Sequence, residues 1–285
     1  MFQVMKKIGI LFSFFFFLSC QNFGQLTLIA DLPKDLKEVS GTEIVPKSAF
    51  IWMVNDGGNT PTLFGLNNKG KIIKEIYIRA KNHDWEDLAS DEKGTIYIGD
   101  FGNNLNDRKN LSIIIVGQNE LDEKKAEVDE IEFKYPNQYQ FPPKKEALYF
   151  DTEAFFYFKS SLYILTKSRV AGNYGKTTLY KIPAKKGKYT AEIVDVFKNC
   201  EEVACWITSA DISPNGEKVA LLSQKNVLIF SNFKEDKFLS GHVTTINLKH
   251  QSQKESITFK DNNTLLITDE SAHAAGGNLY ELKLK

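Results

Sequence analysis

The sequence predicts an all-β fold, a β-propeller of five four-stranded blades whose ring is closed by the N-terminal strand, on three observations. The first is a repeat. The stretch Asp84-Trp85-Glu86-Asp87-Leu88-Ala89 carries an acidic residue at 86 and is followed, fourteen positions on, by Asp100. The same separation joins Glu153 to Lys167, Ser209 to Ser223 and Glu255 to Asp269, and a looser copy runs from Ser40 to Asn55-Asp56 around Pro46-Lys47. The second is texture: short runs of alternating apolar residues are broken by Gly, Asn, Asp or Lys clusters, and no amphipathic helix intervenes. The third lies at the ends. The last repeat stops one strand short, while Leu26 to Ala30 is a strand with no blade of its own, so the two complete one blade and leave no open edge at the seam.

Taken in order, the chain begins with Lys6-Lys7, an uncharged apolar run from Ile8 to Leu18, and Ser19-Cys20. A basic start, a short apolar segment and a small residue before a cut make 1–19 a secretory signal peptide, too short to span a membrane stably. Phe17-Leu18-Ser19-Cys20 resembles a bacterial lipobox, which implies that Cys20 is lipidated and that the protein is exported and anchored to a membrane of the cell envelope. Residues 20–285 are then a single propeller domain. In the second repeat the strands are expected at 87–91, 95–99, 111–116 and 130–135; in the third at 154–158, 162–166, 178–182 and 192–197. The fourth has them at 211–213, 219–222, 227–230 and 243–248, and the last at 256–258, 265–268 and 279–284. Six blades is the alternative count, because Pro136 to Tyr149 in the long second repeat has room for hidden strands; we read it as a loop.

Composition narrows the function classes. The chain has 285 residues, 42% of them apolar, enough for one large all-β core. Loss of Lys6 and Lys7 with the signal leaves the acids two ahead of the 34 remaining basic side chains, which argues against nucleic-acid binding. Cys200 and Cys205 are the cysteines left besides Cys20, and in an exported chain they are expected to form a disulfide that stiffens the loop leading to Ser209.

In a propeller the loop feeding each innermost strand and the loop after the second strand lie on one face. Ser40, Glu86, Glu153, Ser209 and Glu255 are therefore expected around the channel mouth, with Asp56, Asp100, Lys167, Arg169, Asp269 and His273 outside them. Three carboxylates converging on an axis repel one another unless a proton or a cation intervenes. Oxygen ligands of this kind suit calcium better than zinc, so the five axial residues are the expected metal set. The alternative is that the glutamates pair with Lys167 or Arg169 in a structural plug. Arg108, Lys167 and Arg169 are candidate anion-binding residues; Asp56, Asp100, Asp269 and His273 are candidate bases, and His83 flanks the same mouth. The strong catalytic motifs, such as the nucleophile elbow and the phosphate loop, are absent from the sequence.

The run of Ser40-Gly41, Asn55-Asp56-Gly57-Gly58-Asn59, Asp84 to Ala89, Tyr97 to Asn104 and Arg108, continued by Asp151-Thr152-Glu153-Ala154, Thr208 to Ser213 and Glu255, resembles exported bacterial propeller proteins described as phytase-like esterases. One oxygen ligand per blade also resembles the central calcium site of five-bladed calcium-activated nucleotidases (apyrases). The arginine-bearing loop that such enzymes place after the first blade's second strand is here Asp56-Gly57-Gly58-Asn59, which does not favour nucleotides. Gluconolactonase-type propellers are similar in architecture, and their metal set maps less well.

Two functions follow. One is a monomeric lipoprotein binding module with a calcium-occupied channel, whose face takes a small anionic ligand, a glycan or a protein. The other is a calcium-dependent hydrolase of phosphoesters, nucleotides or lactones.

Overall fold

Strands of a propeller blade are covered on both faces, so the sequence must supply apolar residues on both sides of each sheet and polar ones only at the ends. The computed structural model, which describes residues 22–271 and 276–285, shows this arrangement in five antiparallel sheets. Blade 1 is Val39–Ile44, Ile51–Asn55, Thr62–Leu66 and Ile72–Ile78; blade 2 is Trp85–Ser90, Ile96–Asp100, Leu111–Val116 and Asp129–Lys134. Blade 3 is Asp151–Phe158, Ser161–Lys167, Lys176–Pro183 and Glu192–Lys198, and blade 4 is Ser209–Ile212, Lys218–Leu222, Asn226–Ser231 and His242–Asn247. Blade 5 has Lys254–Asp261, Thr264–Asp269 and Asn278–Lys283, and Thr27–Asp31 completes it by pairing antiparallel with the last of these, Leu28 opposite Tyr280.

The ring closure and the blade count are those expected, and 136–149 contains no strand, only the short 3-10 turn Lys145–Ala147. Two small strands add to those expected. Lys125–Ala126 adds in parallel to the outer edge of blade 1, and Gly187–Thr190 to that of blade 2. Each comes from the following repeat, so two outer edges are covered by a neighbour's connection.

The core is divided by blade. Five apolar clusters each fill one interface, for example Val54, Trp85 and Ile98 between blades 1 and 2, and Met53, Phe64, Leu266 and Leu279 between blades 1 and 5. At about 1.5–3 kcal/mol for each fully buried large side chain, these interfaces hold the ring together. Gly41 sits where the innermost strands of blades 1 and 2 nearly touch; a methyl there would lie 2.9 Å from the backbone of Asp87 and Leu88.

One local irregularity positions the site. In blades 1, 2, 3 and 5 the pairing of the first two strands skips a residue, and the skipped residues are Ser40, Glu86, Glu153 and Glu255. A bulge re-aims its extra side chain and increases the local twist. The sequence repeat is therefore a bulge repeated in four blades. Blade 4 has no bulge: Ser209 pairs directly with Leu222.

Candidate cation site at the channel mouth

The bulged residues deliver four of the five predicted axial side chains to one cavity of about 310 Å³, lined also by Asp56, Lys167, Arg169, Trp206 and Glu270. Ser209 is not among them. Its hydroxyl donates to Asp87 Oδ2 (3.0 Å) deeper in the channel and accepts from the Ile257 amide (3.0 Å). The hydroxyl that plays Ser40's part in blade 4 is Thr208. Ser40 Oγ donates to the Trp85 carbonyl and Thr208 Oγ1 to that of Lys254, each at 2.8 Å and each to the residue before the next blade's bulged glutamate. The equal spacing to Ser223 misleads by one residue because blade 4 pairs without the bulge.

The carboxylates of the mouth fall into two groups. On the blade 3 side, Glu153 Oε1 is 2.6 Å from Lys167 Nζ and 3.5 Å from Arg169, whose Nε donates to Asp151 Oδ2 at 2.6 Å. Both cations also lie over the Trp206 ring, at 5.0 and 4.6 Å. Here the paired plug describes the geometry: Lys167 and Arg169 are engaged by acids and an aromatic face. Burial raises the Glu153 carboxyl and Lys167 opposes the shift.

On the side of blades 1 and 2, carboxylate oxygens of Asp56, Asp84 and Glu86 lie within 4.8 Å of one another. Glu86 is 6% exposed, and among the described residues no hydrogen bond or ion pair satisfies it. Its carboxyl is pushed well above the usual range by burial, and next by the charges of Glu153 and Asp56. Asp56 is pushed up to about 7, chiefly by burial, against the hydrogen bond from the Gly57 amide. Asp84 is raised by burial, with Arg108 opposing. Two glycines make the triad fit. A methyl on Gly102 would lie 2.1 Å from Glu86 Oε1 and 2.3 Å from Asp84 Oδ2, and one on Gly57 would lie 2.5 Å from Asp84 Oδ1. Three hard oxygen donors that form no ion pair among the described residues suit calcium or magnesium, and the triad fits such an ion.

The set therefore differs from the five axial residues. Glu86 remains, Asp56 and Asp84 join it, Glu153 is held by cations, and Glu255 lines the same cavity with its carboxyl raised to about 8, chiefly by burial. Asp84 stands in the very stretch that reveals the repeat. Its place two residues before the bulge is legible, but its turn back toward Asp56 depends on the Gly57 and Gly102 backbones.

The remaining predicted residues have other tasks. Asp100 is 2% exposed; its Oδ2 is 2.7 Å from His83 Nδ1, and its Oδ1 accepts from the Asp84 amide and from Arg108. Arg108 also donates to the carbonyls of Gly102, Asp100 and Asn110, so it ties its own loop together. Asp269 faces Ser252, Lys254 and Tyr280. Cys200 and Cys205 are disulfide-bonded, with Cα atoms 5.7 Å apart. Cys20, residues 1–19 and His273 lie outside the described residues. Below the mouth, Asp87 is a further residue whose role the sequence does not show: fully buried, its Oδ2 accepts from Phe155 N, Ser209 Oγ and Ala210 N and links blades 2, 3 and 4.

No protein-family model matches the chain, and no curated protein sequence matches it. Solved structures resemble it at low sequence identity. A nidogen/laminin complex is 11% identical over 84% of this chain and 74% of that one, with a TM-score of 0.47. A gluconolactonase from Xanthomonas campestris is 12% identical over 87% and 72%, with a TM-score of 0.48. A catalytically inactive virginiamycin B lyase from Staphylococcus aureus is 13% identical over 89% and 69%, with a TM-score of 0.43. The likeness is one of general architecture, and the chemistry of the mouth rests on this chain's own residues.

Proposed function

We propose that the protein is a cell-envelope lipoprotein whose channel mouth holds a divalent cation, calcium by its donor set, and presents it to a small anionic ligand. The observation that carries this reading is Glu86, nine-tenths buried, without a partner among the described residues, and aimed at Asp56 and Asp84. Carboxylates outnumber basic groups around the cavity, so the mouth repels an anion until a cation neutralises the triad. Once it is neutralised, Lys167 and Arg169, whose ion pairs with Glu153 and Asp151 use only some of their N–H donors, supply the second contact with the rest. Cys20 is the proposed anchor, and replacing it with Ser should release a soluble exported form from the detergent phase.

Hydrolysis of a phosphoester or lactone at this mouth is the second reading, favoured by the His83–Asp100 pair beside Asp84: a buried carboxylate fixes one ring nitrogen of a half-exposed imidazole, as a proton-transfer group requires. A bound cation would polarise the ligand's carbonyl or phosphoryl oxygen. The test is a melting curve with calcium and with chelator, followed by a panel of phosphoesters, nucleotides and lactones. Calcium-dependent melting with flat rates supports binding alone. A melting curve indifferent to calcium, magnesium and chelator would remove the cation and both readings with it.

A further inference from the structure

A second cavity, of about 790 Å³, opens between blades 4 and 5 and is lined by Asn247, Lys249, His250 and Ser252 among others. Its wall carries a set of reactive groups that the cation site does not use. Ser252 Oγ donates to Asp269 Oδ2 at 2.5 Å and is hydrogen-bonded to Lys254 Nζ. Lys254 is fully buried; its Nζ also donates to His250 Nδ1 at 2.9 Å and lies 3.6 Å from Asp269 Oδ2 and 5.4 Å from the centre of the Tyr280 ring. Asp269 is itself fixed by the Tyr280 hydroxyl (2.8 Å) and the Asn278 amide (2.9 Å).

The fold does not require this ammonium. Lys254 precedes the bulge of blade 5, and the residues before the bulges of blades 1, 2 and 3 are Val39, Trp85 and Thr152, all buried without charge. A buried lysine is costly unless its donors are matched. Here one N–H meets His250, one meets Ser252 and the third faces Asp269, so the amine orients the serine and the carboxylate toward each other. Ser252 is only partly buried, at the cavity wall, while its two partners are shielded. A nucleophile, its proton acceptor and a group orienting both are the three parts of a covalent acyl-transfer site.

We infer that Ser252 is a covalent nucleophile for polar carboxylic esters, with Asp269 as its proton acceptor and Lys254 as the positioning residue. Ser252 Oγ bonds to the acyl carbon and its proton passes to Asp269 Oδ2. The ester C–O bond then breaks, and the leaving alkoxide takes that proton and departs as an alcohol. Water, deprotonated by Asp269 in turn, cleaves the acyl-serine, releasing the carboxylic acid and restoring the hydroxyl. No redox partner is needed. The site is independent of the cation triad.

The test uses the full-length protein, a serine-reactive fluorophosphonate and p-nitrophenyl acetate. The expected result is one adduct, mapped to Ser252, absent from Ser252→Ala and from heat-denatured protein, formed equally with and without chelator. Asp269→Asn should slow labelling and ester hydrolysis at least tenfold. Should that variant fail to fold, Tyr280→Phe removes a hydrogen bond from Asp269 without its charge and should slow labelling severalfold. Lys254→Arg, which keeps the charge but moves its donors, should lower kcat more than it raises KM. Absence of an adduct at Ser252 in the folded protein, or labelling no faster than in the denatured chain, would overturn the assignment.

Discussion

Glu86 and Glu153 occupy the same place in their blades, yet the structure gives them opposite chemistry, and conservative substitutions should separate them. Glu86→Gln removes one of three crowded carboxyls, which repel one another once they lose their protons and which form no ion pair among the described residues. It should raise the melting temperature in chelator and weaken calcium binding at least tenfold, about 1.4 kcal/mol, as measured by calorimetric titration. Glu153→Gln deprives Lys167 of a partner at 2.6 Å and should destabilise by about 2 kcal/mol with or without calcium. Equal behaviour of the two variants would mean that they serve one site. Gly102→Ala offers a separate check, since its methyl would lie 2.1 Å from Glu86 Oε1: calcium affinity should fall while the chelated protein melts near the wild-type temperature.

At the scale of the element, the unit that matters is the bulged first strand. Four blades use it to turn one side chain toward the axis, and blade 4, lacking it, sends Ser209 down to Asp87 instead. Ser209→Ala should therefore cost about 1–3 kcal/mol in a urea titration by leaving part of the buried Asp87 carboxyl unmatched, and should leave calcium affinity unchanged; a loss of affinity would restore Ser209 to the proposed metal set. The strands themselves were legible because short apolar runs are bounded by turn residues that mark their ends, so the run Leu111–Val116 matches its strand to the residue. Bulges carry no such mark. The equal spacing from Glu86 to Asp100 and from Ser209 to Ser223 hides the difference between a blade that skips a residue and one that does not, which is why Thr208 was missed. Asp84's part in the acidic triad was invisible for a related reason: its carboxyl meets Asp56 from another blade, and no spacing along the chain encodes that contact. Lys125–Ala126 and Gly187–Thr190 escaped because a short strand that pairs in parallel with a preceding blade has too few residues to show any period.

Across the whole molecule, the channel is a column of acids. Glu86 and Asp56 stand at one mouth, Asp87 in the middle, and Glu43 and Asp211 at the other end, where both contact the Thr258 hydroxyl. Burial raises every one of them: Asp56 and Asp211 to about 7, and Glu43, Glu86 and Asp87 well above the usual range. Unfolded carboxyls titrate near 4, so between roughly pH 4 and 7 the native ring binds more protons than the unfolded chain, and stability must fall as pH rises through that window. Below it the contribution is fully present; the share of Asp56 and Asp211 is lost as pH rises through about 7 and that of Glu255 through about 8, and the share of Glu43, Glu86 and Asp87 as pH rises through their own raised values. This is the reverse of the usual acid denaturation of ion-paired proteins. Urea unfolding in chelator should accordingly give a larger free energy at pH 5 than at pH 8. At the proposed site calcium would compete with the protons on Asp56, Asp84 and Glu86, so its affinity should rise over the same interval and its binding should release protons into an unbuffered solution. At a hundredfold excess over its dissociation constant it adds about 2.7 kcal/mol, which for a domain of this size is roughly 5–10 °C in melting temperature. With calcium the decline from pH 5 to pH 8 should flatten, because the cation restores at high pH what the protons supply at low pH. Stability that climbs with pH in chelator would show that the acids of the channel are paired with cations in the folded protein and that the column of protonated carboxyls does not exist.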